Sequence, residues 1–357
     1  MELTQHCYAE ISLPAFRANV RHAKKTLAGK AKLMIAVKSE AYGHGGLTLA
    51  HAAREAGADA LAVLDIAQGI QIRAAEPDIP LLCWLHSPTS DFGGAARAGL
   101  DLGISGTWQL DLLVAQAPGM NTRVHLKIDT GLHRNGALAK QWPDLVRHAA
   151  ALEADGHITV VGIWSHLADT SLEEDNASLQ RFHDAVEIAR AAGLTPSLLH
   201  IAASAAAADV PEARLDMVRV GIIAYGVSPF DDRTAQELGF QPVMSVRAQV
   251  VSHSPRGDTA TLGMGFGDGL LPPHAGRGWV TYAGVRYPIE RVEADHLIIG
   301  STADVALPPV GEWITLWGDS RGESPRAEDW AEWADTIGDE VVSSLGAHVQ
   351  RKIIDEN

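Results

Sequence analysis

The sequence predicts an α/β protein in two parts: a (β/α)8 TIM barrel followed by a smaller, mainly β C-terminal domain. Three observations carry that expectation. Apolar, β-branched runs recur through the first two thirds of the chain, each followed by a stretch of helical periodicity. Beyond residue 235 the helical stretches almost vanish and short alternating runs replace them. The 357 residues are long for one compact core and comfortable for two. The barrel is therefore expected over residues 10–235 and the β-rich domain over 236–357, with residues 1–9 a candidate addition to the latter.

Taken in order, the barrel strands are KLMIAVK (32–38), ALAVLD (60–65), IPLLCWLH (79–86), DLGIS (101–105), RVHLKID (123–129), VVGIWSHL (160–167), LLHIAAS (198–204) and MVRVGII (217–223). Between them lie Ala-rich amphipathic segments such as LTLAHAAREAG and NASLQRFHDAVEIARAAG, the second closing on the Gly expected just past a helix. Nearly continuous hydrophobic strands alternating with helices imply a parallel sheet covered on both faces. An open doubly wound sheet is the rival. Its Gly-rich turn after the first strand could be sought at Gly43–Gly46 and its acidic residue at Asp65, but the glycine spacing is wrong for a dinucleotide fingerprint. After residue 235, PVMSVRAQVVSH, TATLGM, WVTYAGVRYPIERVEADHLIIG and EWITLWG alternate as antiparallel strands do, with one late helix around SPRAEDWAEWADTI.

Bulk properties narrow the function. The N-terminus has neither a basic nor an apolar leader region, and no segment approaches the roughly 18 continuous apolar residues of a membrane helix. No membrane is expected, and a cytoplasmic location is. Two cysteines, Cys7 and Cys83, cannot build a metal knuckle and fit a reducing compartment, and no metal is expected. A net charge of −15 would repel a phosphate backbone, so nucleic acid is not an expected partner.

In a barrel, functional groups belong at the C-terminal ends of strands. Lys38 closes the first strand, with Tyr42 soon after; the fifth carries Lys127 and Asp129, with Arg134 beyond. The sixth ends in His166, the seventh offers His200 and Ser204, and the eighth supplies Arg219 before Gly221 and Ile222. Singly, each has an ordinary explanation: a strand-end lysine is usually a surface charge, His166 a satisfied core histidine, Arg219 a rim ion pair. Together they describe a site. An amine following an apolar run is poorly solvated, which favours the unprotonated form that attacks a carbonyl. Tyr42, Ser204 and the amides of Gly221 and Ile222 resemble a phosphate cradle. An aldehyde-capturing lysine, a phosphate site and a basic ring contact point to pyridoxal 5'-phosphate.

At these residues the chain resembles the alanine racemase family of fold-type III pyridoxal-phosphate enzymes. AVKSEAYGHG (36–45) matches the family's cofactor-lysine motif, which implies Lys38 as the lysine that binds the cofactor and Tyr42 as a phosphate ligand. LKIDTGLHRNG (126–136) is similar to its K-x-D-T-G-x-x-R-x-G segment and implies Arg134 at the phenolic oxygen, supported by Lys127, which is carbamylated in some members. SHLADT (165–170) implies His166 beside the ring. HIAASAA (200–206) implies Ser204 on the phosphate, with Ala203 where the family has Asn. RVGIIAYG (219–226) implies Arg219 at the pyridine nitrogen and phosphate contacts from Gly221 and Ile222. The resemblance further implies a small amino-acid substrate, catalysis by Lys38, His166 and Arg219, and a homodimer with shared active sites.

The C-terminal part departs from the family. The second base there is a tyrosine from the partner subunit, in a V-S-Y-G segment ahead of G-Y-A-D-G. Here MGFGDG (264–269) carries Phe266, and the preceding segment is shortened so that no tyrosine aligns. The C-M-D-Q motif corresponds to Glu293-Ala294-Asp295-His296, and T-I-S-Y-E to Thr336-Ile337-Gly338-Asp339-Glu340. Substitutes for the second base are His296, Glu293, His133 or a water relayed through His166. The leading expectation is an amino-acid racemase on alanine or a related small amino acid. One-face chemistry, as in a decarboxylase or aldolase, and a pyridoxal-phosphate-binding protein without turnover remain the alternatives.

Overall fold

A computed structural model describes residues 6–274, 276–301, 305–318 and 322–356. The chain divides into two compact units, one of Val20–Ser39 and Gly46–Gly221, the other of Met1–Asn19, Glu40–Gly45 and Ile222–Asn357. After β1 (Cys7–Ser12), which belongs to the second unit, the first unit is built on β2 (Lys32–Ala36), β3 (Ala60–Val63), β4 (Leu81–Cys83), β5 (Asp101–Ile104), β6 (Thr122–Lys127), β7 (Ile158–Trp164), β8 (Leu198–His200) and β9 (Met217–Val220). Their order is β8-β7-β6-β5-β4-β3-β2-β9, and every pairing along it is parallel. Backbone bonds from Asp216 N–H to Leu199 O and from Arg219 N–H to Ala202 O, both 3.1 Å, close the ring between β8 and β9. This is the predicted barrel. β3, β4, β5 and β9 are buried at every residue, the reason they read as unbroken apolar runs.

Local chemistry starts the covering helices. Asp65, weighed above as a dinucleotide acid, is instead the N-cap of the helix Ile66–Ala75, where its carboxylate accepts the Gln68 N–H at 2.9 Å. Ser171 caps Leu172–Ala191, whose first turn carries Glu173, Glu174 and Asp175 against the positive end of the helix dipole. Trp142 opens another helix and ties it down by donating its indole N–H to Ala185 O at 2.8 Å.

The second unit is a sheet of β10 (Met244–His253), β11 (Thr259–Leu262), β12 (Trp279–Tyr282), β13 (Val285–Val292), β14 (Leu297–Gly300), β15 (Trp313–Trp317) and β16 (Gln350–Ile354) together with β1. All its pairings are antiparallel except β1 with β16. β10 alternates buried and half-exposed residues through Val251, as a one-face-buried strand should. The late helix forms at Ala327–Trp333 and buries Trp330 against Trp317 at 5.6 Å between ring centres. A further short helix, Gly338–Ser343, lies where the sequence showed no periodicity. No helix among the described residues is long and apolar enough to cross a membrane.

Candidate active site

Strand ends of the barrel unit bring together a group of basic side chains. Lys127, the last residue of β6, is buried, with its ammonium nitrogen 4.2 Å from the ring centre of Trp164, the last residue of β7. The Arg219 guanidinium, from β9, stands 5.1 Å from the same ring. Burial, then the charges of Arg219 and Arg134, pull the Lys127 amine down to about 7. Burial and Arg134 bring Arg219 to about 9 against the pull of Asp169. Burial together with Arg219, Arg134, Lys127 and Lys38 holds His166 well below its ordinary value, so its ring is neutral.

Arg219 is spoken for on two nitrogens. One terminal N–H group donates to Nδ1 of His200 at 3.2 Å; the other serves Ser165 O at 2.8 Å, Ile201 O at 3.0 Å and Nδ1 of His166 at 3.1 Å. Because arginine only donates, both histidines present an unprotonated Nδ1 and carry their proton on Nε2. No protein acceptor among the described residues takes the Arg219 Nε–H. Elsewhere in the unit the Ser204 hydroxyl oxygen accepts the Gly221 N–H at 3.1 Å, placing two of the residues expected at the phosphate side by side. Arg134 is exposed on the loop after β6 and Lys38 is half-buried just past β2.

The chain leaves β2 through an unusual turn. Ser39, Glu40, Ala41 and Tyr42 all have φ between 52° and 54°, a left-handed helical turn that costs L-residues about 1–2 kcal/mol each. Other contacts hold it there. The His44 ring N–H donates to the carbonyls of Ala41 and Tyr42, both at 2.9 Å, and Gly45 N–H reaches Glu40 O at 2.9 Å. Burial lowers His44 to about 4, which keeps the ring neutral for this task. Tyr42 and Ile222 belong to the second unit, where Tyr42 is buried with its ring 5.0 Å from that of Tyr225. Of the predicted residues, Lys38, Arg134, His166, Ser204, Arg219 and Gly221 thus lie in the barrel unit.

The groups weighed for a second proton transfer are placed as follows. His133 is largely exposed, with φ of 55° and Nδ1 3.1 Å from the Asp129 carboxylate. Glu293 pairs with Arg291 at 2.8 Å. His296 is steadied through Nδ1 by Asp295 at 2.7 Å. The altered Phe266 turn is docked on that same segment, with Phe266 N–H on Glu293 O at 2.8 Å and Gly267 N–H on Ala294 O at 2.7 Å. A side chain at Gly265 would meet Glu293 O at 2.3 Å, so the close approach demands glycine. Of the five tyrosines, Tyr42, Tyr225 and Tyr287 are buried, Tyr8 packs on Trp313, and Tyr282 ends β12. Sequence reasoning missed Asp169, an exposed rim carboxyl with φ of 54° three residues past His166. Partial desolvation and Asp175 raise it to about 6 despite Arg219 and Arg134, and only its distance along the chain from His166 could have flagged it.

These groups suit pyridoxal 5'-phosphate. Lys127, Arg134 and Arg219 form a basic cluster with Asp129 and Asp169 beside it, and a phosphate, a phenolate and a substrate carboxylate are the anions such a cluster would hold. The Arg219 Nε–H, which has no acceptor among the described residues, matches a ring nitrogen, and the Ser204 hydroxyl, whose oxygen takes the Gly221 N–H and whose own hydrogen can donate, matches a phosphate oxygen. Fold and site define a barrel enzyme that holds an anionic, carbonyl-bearing cofactor next to a lysine. Comparison with known proteins specifies it further. Residues 11–229 match the alanine racemase N-terminal domain and residues 244–353 the alanine racemase C-terminal domain. The alanine racemase of Beutenbergia cavernae is 36% identical over 98% of both chains. The crystal structure of alanine racemase from D-cycloserine-producing Streptomyces lavendulae superimposes with a TM-score of 0.93 at 35% identity, covering 100% of this chain and 99% of that one. That from Streptomyces coelicolor gives 0.92 at 34% identity over 98% of each. The chain belongs to the alanine racemase family, and is a pyridoxal-phosphate-dependent amino-acid racemase.

Proposed function

We propose that this enzyme interconverts L- and D-alanine as a cytoplasmic homodimer, with Lys38, His166 and Arg219 as its catalytic residues and a non-tyrosine group serving the second face of the substrate. The carrying observation is the buried Arg219 guanidinium, donating to two neutral histidines and two carbonyls while its Nε–H has no acceptor among the described residues. When bound, the cofactor supplies the electron sink that lets the Cα proton leave. Arg219 would face the ring nitrogen, and a guanidinium there would keep its own proton, which would limit that sink and favour return of the proton to Cα over amino-group transfer. Lys38 Nζ holds the cofactor and takes or returns the proton on one face. Ser204 would hold phosphate through its hydroxyl hydrogen, with Tyr42 and the Gly221 and Ile222 amides as the further phosphate ligands the family resemblance implies; Arg134 would hold the phenolic oxygen, and neutral His166 orients Arg219.

For the opposite face we take His296 from the second copy, since Asp295 fixes its Nδ1–H and leaves Nε2 to carry a proton. Racemisation and exchange of the Cα hydrogen with heavy water test the reading together. The wild type is expected to do both with alanine, and Lys38→Ala to lose both along with the absorbance of bound cofactor. His296→Phe is expected to lose racemisation by about 10²–10⁴-fold while keeping exchange with one enantiomer. Release of carbon dioxide or aldehyde without racemisation would overturn the reading.

A further inference from the structure

Three more polar side chains stand in line behind Arg219 inside the barrel. His200 Nε2 lies 2.9 Å from His125 Nδ1, and His125 Nε2 lies 3.4 Å from the Asp101 carboxylate. Arg123 clamps that carboxylate from its outer side, Nε at 2.7 Å and a terminal N–H at 3.0 Å. His200, His125 and Asp101 are all buried. The fold makes room for them: a side chain at Gly162 would come within 2.3 Å of His125 Nδ1, and Trp164 stacks on His200 at 5.7 Å with only 6° between planes.

One arrangement of hydrogens satisfies every link. Arg219 can only donate, so His200 Nδ1 accepts. Burial, His125 and Arg219 hold His200 far below its ordinary value, so it is neutral and its single proton sits on Nε2. That proton points at His125 Nδ1, which must therefore accept, leaving the His125 proton on Nε2 facing a carboxylate that can only accept. Burial works to raise Asp101, but the hydrogen bonds from His125 and Arg123 outweigh it and hold the carboxyl below the usual range, hence ionised. A guanidinium at one end and a carboxylate at the other thus polarise two neutral imidazoles in one direction.

We propose that Asp101 is a positioning residue for racemisation: through His125 and His200 it fixes the direction in which Arg219 donates. The proposal rests on Arg219 facing the cofactor's ring nitrogen. Asp101 itself touches neither cofactor nor substrate; it acts as outer hydrogen-bond partners do for a reactive ligand, where removal typically costs about 10–100-fold.

The test combines 15N spectra of labelled histidines in the holoenzyme with steady-state kinetics on alanine. In the wild type, His125 and His200 are expected as pure Nε2–H tautomers. Asp101→Leu, which deletes the acceptor, is expected to mix the His125 tautomers and lower kcat by about 10–100-fold, with KM moving far less. Asp101→Asn keeps an acceptor oxygen but no charge, and is expected to fall between. A wild-type ring protonated on Nδ1, or Asp101→Leu with unchanged tautomers and kcat, would overturn the proposal. Should the leucine variant not fold, the wild-type spectra and the asparagine variant decide. If the wild type turns over no alanine, the proposed reaction fails, and the histidine spectra still decide the relay.

Discussion

Lys127 shows how burial sets chemistry one residue at a time. Its amine, brought to about 7 by burial and two arginines, is a cation the barrel tolerates poorly. Lys127→Met, which keeps the packing on Trp164 and removes the charge, is expected to raise the unfolding free energy by about 1–3 kcal/mol while lowering turnover, read by denaturant titration beside the racemisation assay. Asp169 behaves in the opposite sense to a typical carboxylate. Its folded-state value, about 6, lies above the ordinary 3.8, so its contribution is present below about pH 4 and is lost as pH rises through 6. Asp169→Asn should remove that component from the pH dependence of Tm. The residue types of Lys38, His166 and Arg219 were legible because each lies in or beside an apolar strand run. Asp169 was not, since an acid in a polar loop looks solvated until its neighbours in space are known.

At the level of elements, the left-handed turn after β2 and the glycine beneath His125 are the points where backbone geometry is most constrained. Gly43 has φ of 80°, and a Cβ there would meet Val342 O at 2.7 Å. Gly43→Ala is expected to cost about 1–3 kcal/mol and to weaken cofactor binding, measured by chemical unfolding and by absorbance titration with the cofactor. Gly162→Ala, which presses on His125, is expected to cost a similar about 1–3 kcal/mol through overpacking. The barrel strands could be found from composition, because a strand covered on both faces is apolar throughout. The left-handed turn could not. Its residues Ser39, Glu40, Ala41 and Tyr42 have no shared preference for positive φ, and contacts made by His44 and Gly45, not propensity, stabilise it.

Across the whole molecule, buried neutral histidines govern acid stability. Burial lowers both His44 and His86 from 6.5 to about 4, and His166 and His200 are lowered as well. The unfolded chain therefore binds more protons between about pH 4 and 6.5, and stability present above 6.5 is lost as pH falls through that window. For His44 alone the shift is worth on the order of 3 kcal/mol. Tm should fall steeply from pH 6.5 to 4, and His44→Gln should flatten part of that slope. The β-rich unit was recognisable from its alternation, as in β10, while the helix Gly338–Ser343 was too short to show a period.

By itself the sequence determined the barrel, the β-rich partner unit, the family and its cofactor, because hydrophobic periodicity and a strand-end lysine are properties of adjacent residues. Only the tertiary structure decided that Asp65 caps a helix, that Lys127 lies against Trp164, and that Asp101, 24 positions before His125 and 118 before Arg219, shares one hydrogen-bonded line with them. The reason is physical. Those roles depend on dielectric and on donor direction, and both arise only when strands distant in sequence close into a ring.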